Sequence, residues 1–306
     1  MKEEIRKILL EGGACAVGFA KAAEVDPGEW ELFEEWLSRG RHAGMEYMRN
    51  HPQIRRDPRL LLEGANSIIS IAFNYRGDTA PNSPVASYAL GDDYHDVLRD
   101  LLNRCLNSFP TDAGYRICID SAPILERYWA RKAGVGFIGD NGALIVPGAG
   151  SMVFLAEIIT TLPLVPDREW IRRCGSCGAC RRACPTGALT FSGNSIDCNR
   201  CLSYLTIEHR GDWNDPVHIE ALSSAATRGM TPLFGCDRCL AVCPHNAGKV
   251  RARTVPALAP RKEILAITPS DILSMEKSDF SATFRHSPIK RGRFDGLHRN
   301  ALNMIK

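Results

Sequence analysis

Amphipathic stretches and short apolar runs alternate through the first half of the chain. Ile5, Ile8 and Leu9 recur at helical spacing within the charged residues 1–13, which predicts a helix that stops at Gly12. Trp30, Phe33 and Leu37 share one face of a second predicted helix over residues 29–38, and residues 123–133 form another. Compact β-rich runs predict strands at residues 14–20, 67–73 and 115–120. Residues 143–146 and 151–158 flank Pro147-Gly148-Ala149-Gly150 and predict a hairpin. Interleaved helices and strands of this kind predict an α+β (α/β-like) domain with a central sheet.

Pro163, Pro166 and Asp167 mark a boundary, beyond which cysteine density rises abruptly. The predicted division is therefore 1–165, 166–250 and 251–306, the last a short helical basic tail that starts near Ser270, a candidate N-cap. Arg251, Arg253, Arg261 and Lys262 precede that tail. From residue 281 onward Arg285, Lys290, Arg291, Arg293, Arg299 and Lys306 face a single acid, Asp295. A solvated helical face is the ordinary explanation of such a run, and contact with phosphates is the functional one.

With 44% hydrophobic and 24% charged residues the composition is that of a folded globular protein, and a net charge of +3 is too small to demand a polyanionic partner. No apolar run approaches the roughly 18 residues of a membrane span, and the charged start is no signal peptide. The expectation is a cytoplasmic chain with no membrane partner. Twelve cysteines would suggest disulfides in a secreted protein, but nine of them fall between Cys174 and Cys243, which points to metal. Cys15, Cys105 and Cys118 lie in apolar patterns and read as small core residues.

The run Cys174-Gly175-Ser176-Cys177-Gly178-Ala179-Cys180-Arg181-Arg182-Ala183-Cys184-Pro185 reproduces the bacterial ferredoxin pattern C-x₂-C-x₂-C-x₃-C-P. In that pattern three thiolates wrap one four-iron cube while the fourth points to a second cube. Proline after the fourth cysteine suits a first helical turn, where its missing donor costs nothing. Cys236-Asp237-Arg238-Cys239 and Cys243-Pro244 repeat the spacing with one cysteine missing upstream. One 4Fe-4S cluster then takes Cys174, Cys177, Cys180 and Cys243, and the other takes Cys184, Cys236, Cys239 and either Cys198 or Cys201, which spacing alone does not separate. Paired zinc sites also use C-x₂-C, but they rarely need eight cysteines with two C-x₃-C-P endings.

A two-cluster ferredoxin needs only a small fold, so the preceding 165 residues must hold a redox cofactor or a substrate. Neither common nucleotide-binding string follows a predicted strand. Several strings, however, resemble the epoxyqueuosine reductase family. They are Tyr88-Ala89-Leu90-Gly91-Asp92-Asp93-Tyr94-His95, Asp120-Ser121-Ala122-Pro123-Ile124-Leu125-Glu126-Arg127, Ala133-Gly134-Val135-Gly136-Phe137-Ile138-Gly139, Cys201-Leu202-Ser203-Tyr204-Leu205-Thr206-Ile207-Glu208 and Gly235-Cys236-Asp237-Arg238-Cys239. The resemblance runs in the family's order from His42-Ala43-Gly44-Met45 to Arg285-His286-Ser287-Pro288-Ile289-Lys290-Arg291.

The resemblance implies a cobalamin-binding reductase domain related to reductive dehalogenases, followed by a two-cluster ferredoxin-like domain. It implies reduction of epoxyqueuosine to queuosine in tRNA, with cobalamin fed by two 4Fe-4S clusters, and Cys201 rather than Cys198 as the eighth ligand. Asp120 becomes the proton donor to the epoxide oxygen, although an Asp before Ser-Ala-Pro is equally at home as a turn or N-cap residue. Asp120, Ser121, Ala122, Leu144, Val146 and Ser203 become cobalamin contacts. Tyr94 and His95 become candidate pocket residues, against the ordinary expectation that they pack.

Implied partners are a tRNA bearing epoxyqueuosine and a low-potential electron donor such as flavodoxin or ferredoxin, acting on a monomer. Three positions depart from the family: Asp140 stands where Lys is usual, and Ser87 and Asp92 where many relatives carry Arg. The tail also stops at Lys306, where many relatives continue into helical repeats. A cobalamin-dependent reductive enzyme for a small molecule and a non-catalytic electron carrier are the competing readings. The size of the first domain disfavours the carrier.

Overall fold

The computed structural model describes residues 1–76, 83–189, 195–247 and 254–305; Arg251, Arg253 and Lys306 lie outside them. Strands β1 (Ala16–Lys21), β2 (Ser67–Asn74), β3 (Tyr115–Cys118), β4 (Phe137–Ile138), β5 (Leu144–Ile145) and β6 (Val153–Thr160) form two sheets. The main sheet has the order β1-β2-β6-β3, with every neighbour antiparallel. All eight residues of β2 are buried, because both faces of the sheet are covered by helices.

Alternation along the strands sorts the side chains. Ile69, Ile71 and Phe73 join Phe19 and Ile158 on one face, under Ile5 and Leu9 of helix Lys2–Glu11 and Leu98 and Leu102 of helix Tyr94–Leu106. Ile68 and Ala72 join Ala20 and Ile159 on the other face, under Trp129 of helix Glu126–Lys132 and Trp30 of helix Pro27–Ser38. At Gly18 the sheet and the end of helix Glu126–Lys132 approach so closely that a Cβ would stand 2.0 Å from the Ala133 carbonyl oxygen.

The predicted strands and helices are present, with two changes of detail. Residues 143–146 do not pair with 151–158. The turn closes locally, Val146 N–H donating to the Gly150 carbonyl, but β5 folds back on β4 and β6 crosses to lie between β2 and β3. An eight-residue strand gains ladder bonds on both edges by inserting into the main sheet, which a two-residue partner cannot match. In the tail, Thr268 rather than Ser270 is the N-cap. Its hydroxyl and Asp271 form a reciprocal capping box for helix Pro269–Ser274, with Pro269 in the first turn.

The tail does not stand apart. Ile264, Ile272, Phe280, Phe284, Ile289 and Leu297 share a core with Val85, Leu90 and Phe234. Three backbone bonds clamp the loop ahead of helix Tyr94–Leu106: Asp93 N–H to the His286 carbonyl, Asp92 N–H to Ala257 and Arg261 N–H to Leu90. No Cβ fits at Gly91, where the Leu258 backbone lies 2.8 Å away. Of the basic residues, Arg299 turns inward, stacks 4.3 Å from the centre of the Trp213 ring and donates to the carbonyls of Leu205, His209 and Gly211. Arg285, Lys290 and Arg293 stay exposed.

Candidate functional site

Asp120 follows the last residues of β3 and has a φ of 52°, a left-handed backbone that non-glycine residues rarely adopt and that Asp tolerates better than most. The next residues turn tightly, with Ser121 N–H bonded to the Ile119 carbonyl and Ile124 N–H to that of Ala122. The result lifts the Asp120 carboxylate away from the sheet and leaves 60% of its side chain exposed.

That carboxylate is the end of a chain of three groups. His95, in the first turn of helix Tyr94–Leu106, places Nε2 3.1 Å from Asp120 Oδ2 and Nδ1 2.7 Å from Asp93 Oδ1. Asp93 is also the N-cap of the helix and accepts from the His95 amide. Tyr94 packs flat on Phe154, with ring centres 4.2 Å apart, and stacks on His95, which fixes the imidazole.

Burial disfavours the imidazolium, but hydrogen bonds to Asp120 and Asp93 outweigh it and push His95 up to about 9. Burial raises Asp120 in turn. The His95 hydrogen bond and charge, the Tyr94 hydrogen bond and the Arg291 charge reverse this, leaving Asp120 below the ordinary carboxylate range. Its side chain is more than half open to water, so the neighbouring charges and hydrogen bonds together outweigh burial. At neutral pH the shared proton rests on His95.

Four further groups, from four distant parts of the chain, are linked to the Asp120 carboxylate by charge or to one another by contact. Arg291 makes two 2.9 Å bonds to Glu208 and lies 5.6 Å from the centre of the Tyr47 ring. Burial and the Glu208 charge push Tyr47 up to about 12. Tyr88 feels the charges of Asp120, Glu208 and Arg291. Residue spacing singles out none of Tyr47, Tyr88, Glu208 and Arg291 for this site, since contacts across 80 or more residues, such as Glu208 with Arg291, leave no spacing signature, although Tyr88, Glu208 and Arg291 stand at the ends of family strings. A cavity of about 570 Å³ lined by Ile8, Val97, Leu101 and Cys105 holds none of these groups.

The thiols gather into two sets. Burial raises Cys174, with the charges of Cys243 and Cys177 adding to it, and Cys180 neighbours Cys174. In the other set Cys201 feels Cys184; Cys236, pushed up to about 12 by burial, feels Cys201 and Cys184; and Cys239 feels Cys201, Cys236 and Cys184 and, least of its neighbours, Cys180 of the first set. Cys198, also raised by burial, has only Cys201 among its thiol neighbours.

Backbone donors follow the same division. The Asp140 amide lies 3.5 Å from Cys174 Sγ, the Arg181 amide bonds Cys180, those of Ser203 and Tyr204 bond Cys201, and that of Arg238 bonds Cys236. Such donors stabilise sulfur that carries charge, as cluster thiolates do. Among the described residues no three His, Cys, Asp or Glu side chains converge on one point as a single ion requires. Cysteines with these spacings and backbone donors are a donor set that four-iron cubes would take, each thiolate on one corner.

The remaining predicted contacts divide. Leu144 and Val146 are 3% and 2% exposed, with side chains in the second face of the sheet, so only their backbone atoms can reach a cofactor. The Ser203 hydroxyl accepts from the Cys236 amide at 3.1 Å, Ser121 is exposed and Ala122 half-buried. The three departures are locally satisfied: Asp140 pairs with Arg181 at 3.4 Å, Asp92 approaches Arg261 at 3.9 Å, and the Ser87 amide donates to Asp237.

Residues 55–121 match the family described as epoxyqueuosine reductase QueG, and residues 173–246 match a 4Fe-4S double cluster binding domain. The epoxyqueuosine reductase of Cyclobacterium marinum is 37% identical over 97% of this chain and 94% of its own. A crystal structure of epoxyqueuosine reductase with an epoxyqueuosine-modified tRNA-Tyr stem loop superposes with a TM-score of 0.85, at 31% identity, over 99% of this chain and 80% of its own. The Bacillus subtilis enzyme, solved with its catalytic aspartate loop swung out of the active site, gives 0.86 at 31% identity with the same coverage. With full-length identity at this level and the matching cluster domain, the chain belongs to the epoxyqueuosine reductase family.

Proposed function

We propose that this protein reduces epoxyqueuosine to queuosine in tRNA, with Asp120 delivering the proton that the epoxide oxygen takes up. The observation that carries the reading is the Asp93–His95–Asp120 chain, which ends in an exposed carboxylate on a strained turn. The balance is an epoxide plus two electrons and two protons giving an alkene and water.

The carboxylate and imidazole hold one shared proton. In the open site the proton stays on His95, flanked by two carboxylates. Substrate seated over Asp120 displaces water, which disfavours the charged carboxylate, and the proton passes from His95 Nε2 to Asp120 and on to the oxygen as negative charge develops there. Asp93 holds the imidazole orientation and compensates its charge. Arg291, fixed by Glu208, and Tyr47 form a wall beside the carboxylate where the nucleoside would lie.

One cluster would take Cys174, Cys177, Cys180 and Cys243, and the other Cys184, Cys201, Cys236 and Cys239. Cys177 is exposed, which suits the first set to receive electrons from a low-potential donor such as flavodoxin or ferredoxin. Cobalamin would rest on the backbone of Ser121, Ala122, Leu144 and Val146 and on the Ser203 hydroxyl; when bound it supplies a strongly reducing cobalt centre. No helix among the described residues is long and apolar enough to cross a membrane; a tRNA substrate would place the reaction in the cytoplasm.

Asp120→Asn keeps the shape and removes the acid. In protein reconstituted anaerobically with iron, sulfide and cobalamin, queuosine formation measured by nucleoside mass spectrometry should fall about 10²–10⁴-fold. Full turnover with clusters and cofactor in place would exclude the role of Asp120. Turnover of halogenated small molecules without any of epoxyqueuosine-tRNA would overturn the substrate.

A further inference from the structure

The turn that carries Asp120 is held from behind by a group the reaction above does not use. The Asp120 amide donates to Glu126 Oε1 at 2.5 Å. Glu126 opens helix Glu126–Lys132, whose N-cap, Leu125, has no capping side chain. A glutamate at that place ordinarily serves its own helix, through the dipole or a capping box. Here its carboxyl reaches back six residues to the one residue of the loop in a left-handed conformation.

An acid is an expensive choice for the task. The Asp120 charge bears on Glu126, and Glu126 in turn bears on Glu157 of β6; Arg127 and His95 offset the Asp120 charge only in part. Glu157 is fully buried, with Ser70 Oγ 3.1 Å from Oε1 and no partner at Oε2. It stands opposite Cys118, two residues before Asp120. Burial and the Asp120 charge push Glu126 up to about 8, and burial pushes Glu157 well above the ordinary range. A neutral Glu126 still accepts through one oxygen.

We propose that Glu126 is a positioning residue that latches the Asp120 turn in its working place through the Asp120 amide. This rests on Asp120 being the catalytic acid, as proposed above. With the latch, the left-handed residue is fixed and the carboxylate meets His95. Without it, one backbone bond no longer opposes the strain, and the turn is released to swing outward.

The test compares Glu126→Ala with Glu126→Gln in the reconstituted holoenzyme. Alanine removes the acceptor; glutamine keeps a carbonyl oxygen at the same reach and removes the acid. The expected result for alanine is kcat lower by about 10- to 100-fold, as misplacement of a catalytic group by an ångström would give. KM for the tRNA should stay within about twofold, and amide hydrogen exchange should rise in residues 119–122. Glutamine should restore both readouts to near wild type. Alanine with unchanged kcat and exchange, or glutamine as impaired as alanine, overturns the latch. If alanine does not fold, Glu126→Asp, one methylene too short to reach, takes its place with the same expectations. A wild-type protein that makes no queuosine would sink the reading of function, whereas the exchange measurement still decides the latch.

Discussion

A single proton shared by His95 and Asp120 gives the active residues a pH signature. His95 lies near 9 in the folded chain, above its ordinary 6.5, so it is charged and doubly bonded throughout the neutral range. Its contribution to stability is complete below about 6.5 and is lost as pH rises through about 9. Turnover should follow, falling on an alkaline limb with an apparent pKa near 9 that belongs to the coupled group rather than to one residue. His95→Gln should abolish that limb and lower kcat across the range; a limb unchanged in the variant would assign the proton elsewhere.

Much of this scale is illegible in the sequence. An Asp before Ser-Ala-Pro reads equally well as a turn residue, and only the family strings raise Asp120 above that. Glu126 lies in the same string, yet its bond to the Asp120 amide depends on a left-handed residue that no side-chain pattern announces.

Among elements, the cysteine motifs are the most legible, because ligand spacing within a tight turn is itself the geometry of the site. The choice between Cys198 and Cys201 is not, for they lie three residues apart. The structure separates their surroundings: Cys201 opens helix Leu202–Ile207 and receives two amides, while Cys198 neighbours no second thiol besides Cys201. Cys201→Ala should therefore cost about half of the bound iron and sulfide, and Cys198→Ala almost none, by metal analysis and electron paramagnetic resonance. Equal losses would show that the two share the site. The predicted hairpin fails for a different reason. A Pro-Gly turn marks where the chain reverses but not which strands it pairs, and β6 finds better partners in β2 and β3.

The whole molecule is tied together at its far end. Composition marks the tail as basic and helical, and that description hides its main contribution, the shared core around Phe284 and the three backbone bonds to the loop that leads into His95. Phe284 is fully buried. Phe284→Ala should cost about 3–5 kcal/mol in denaturant unfolding. It should also raise amide exchange in residues 90–93; a shift confined to the tail would show that the clamp is independent of this core.

Those three bonds also set an order of events during synthesis. The chain leaves the ribosome from its amino end, so Asp93, His95 and Asp120 emerge well before Ala257, Arg261 and His286, which seat the loop. A nascent polypeptide thus carries every reacting side chain yet cannot align them, and catalytic competence arrives only when the last strap has been threaded into place.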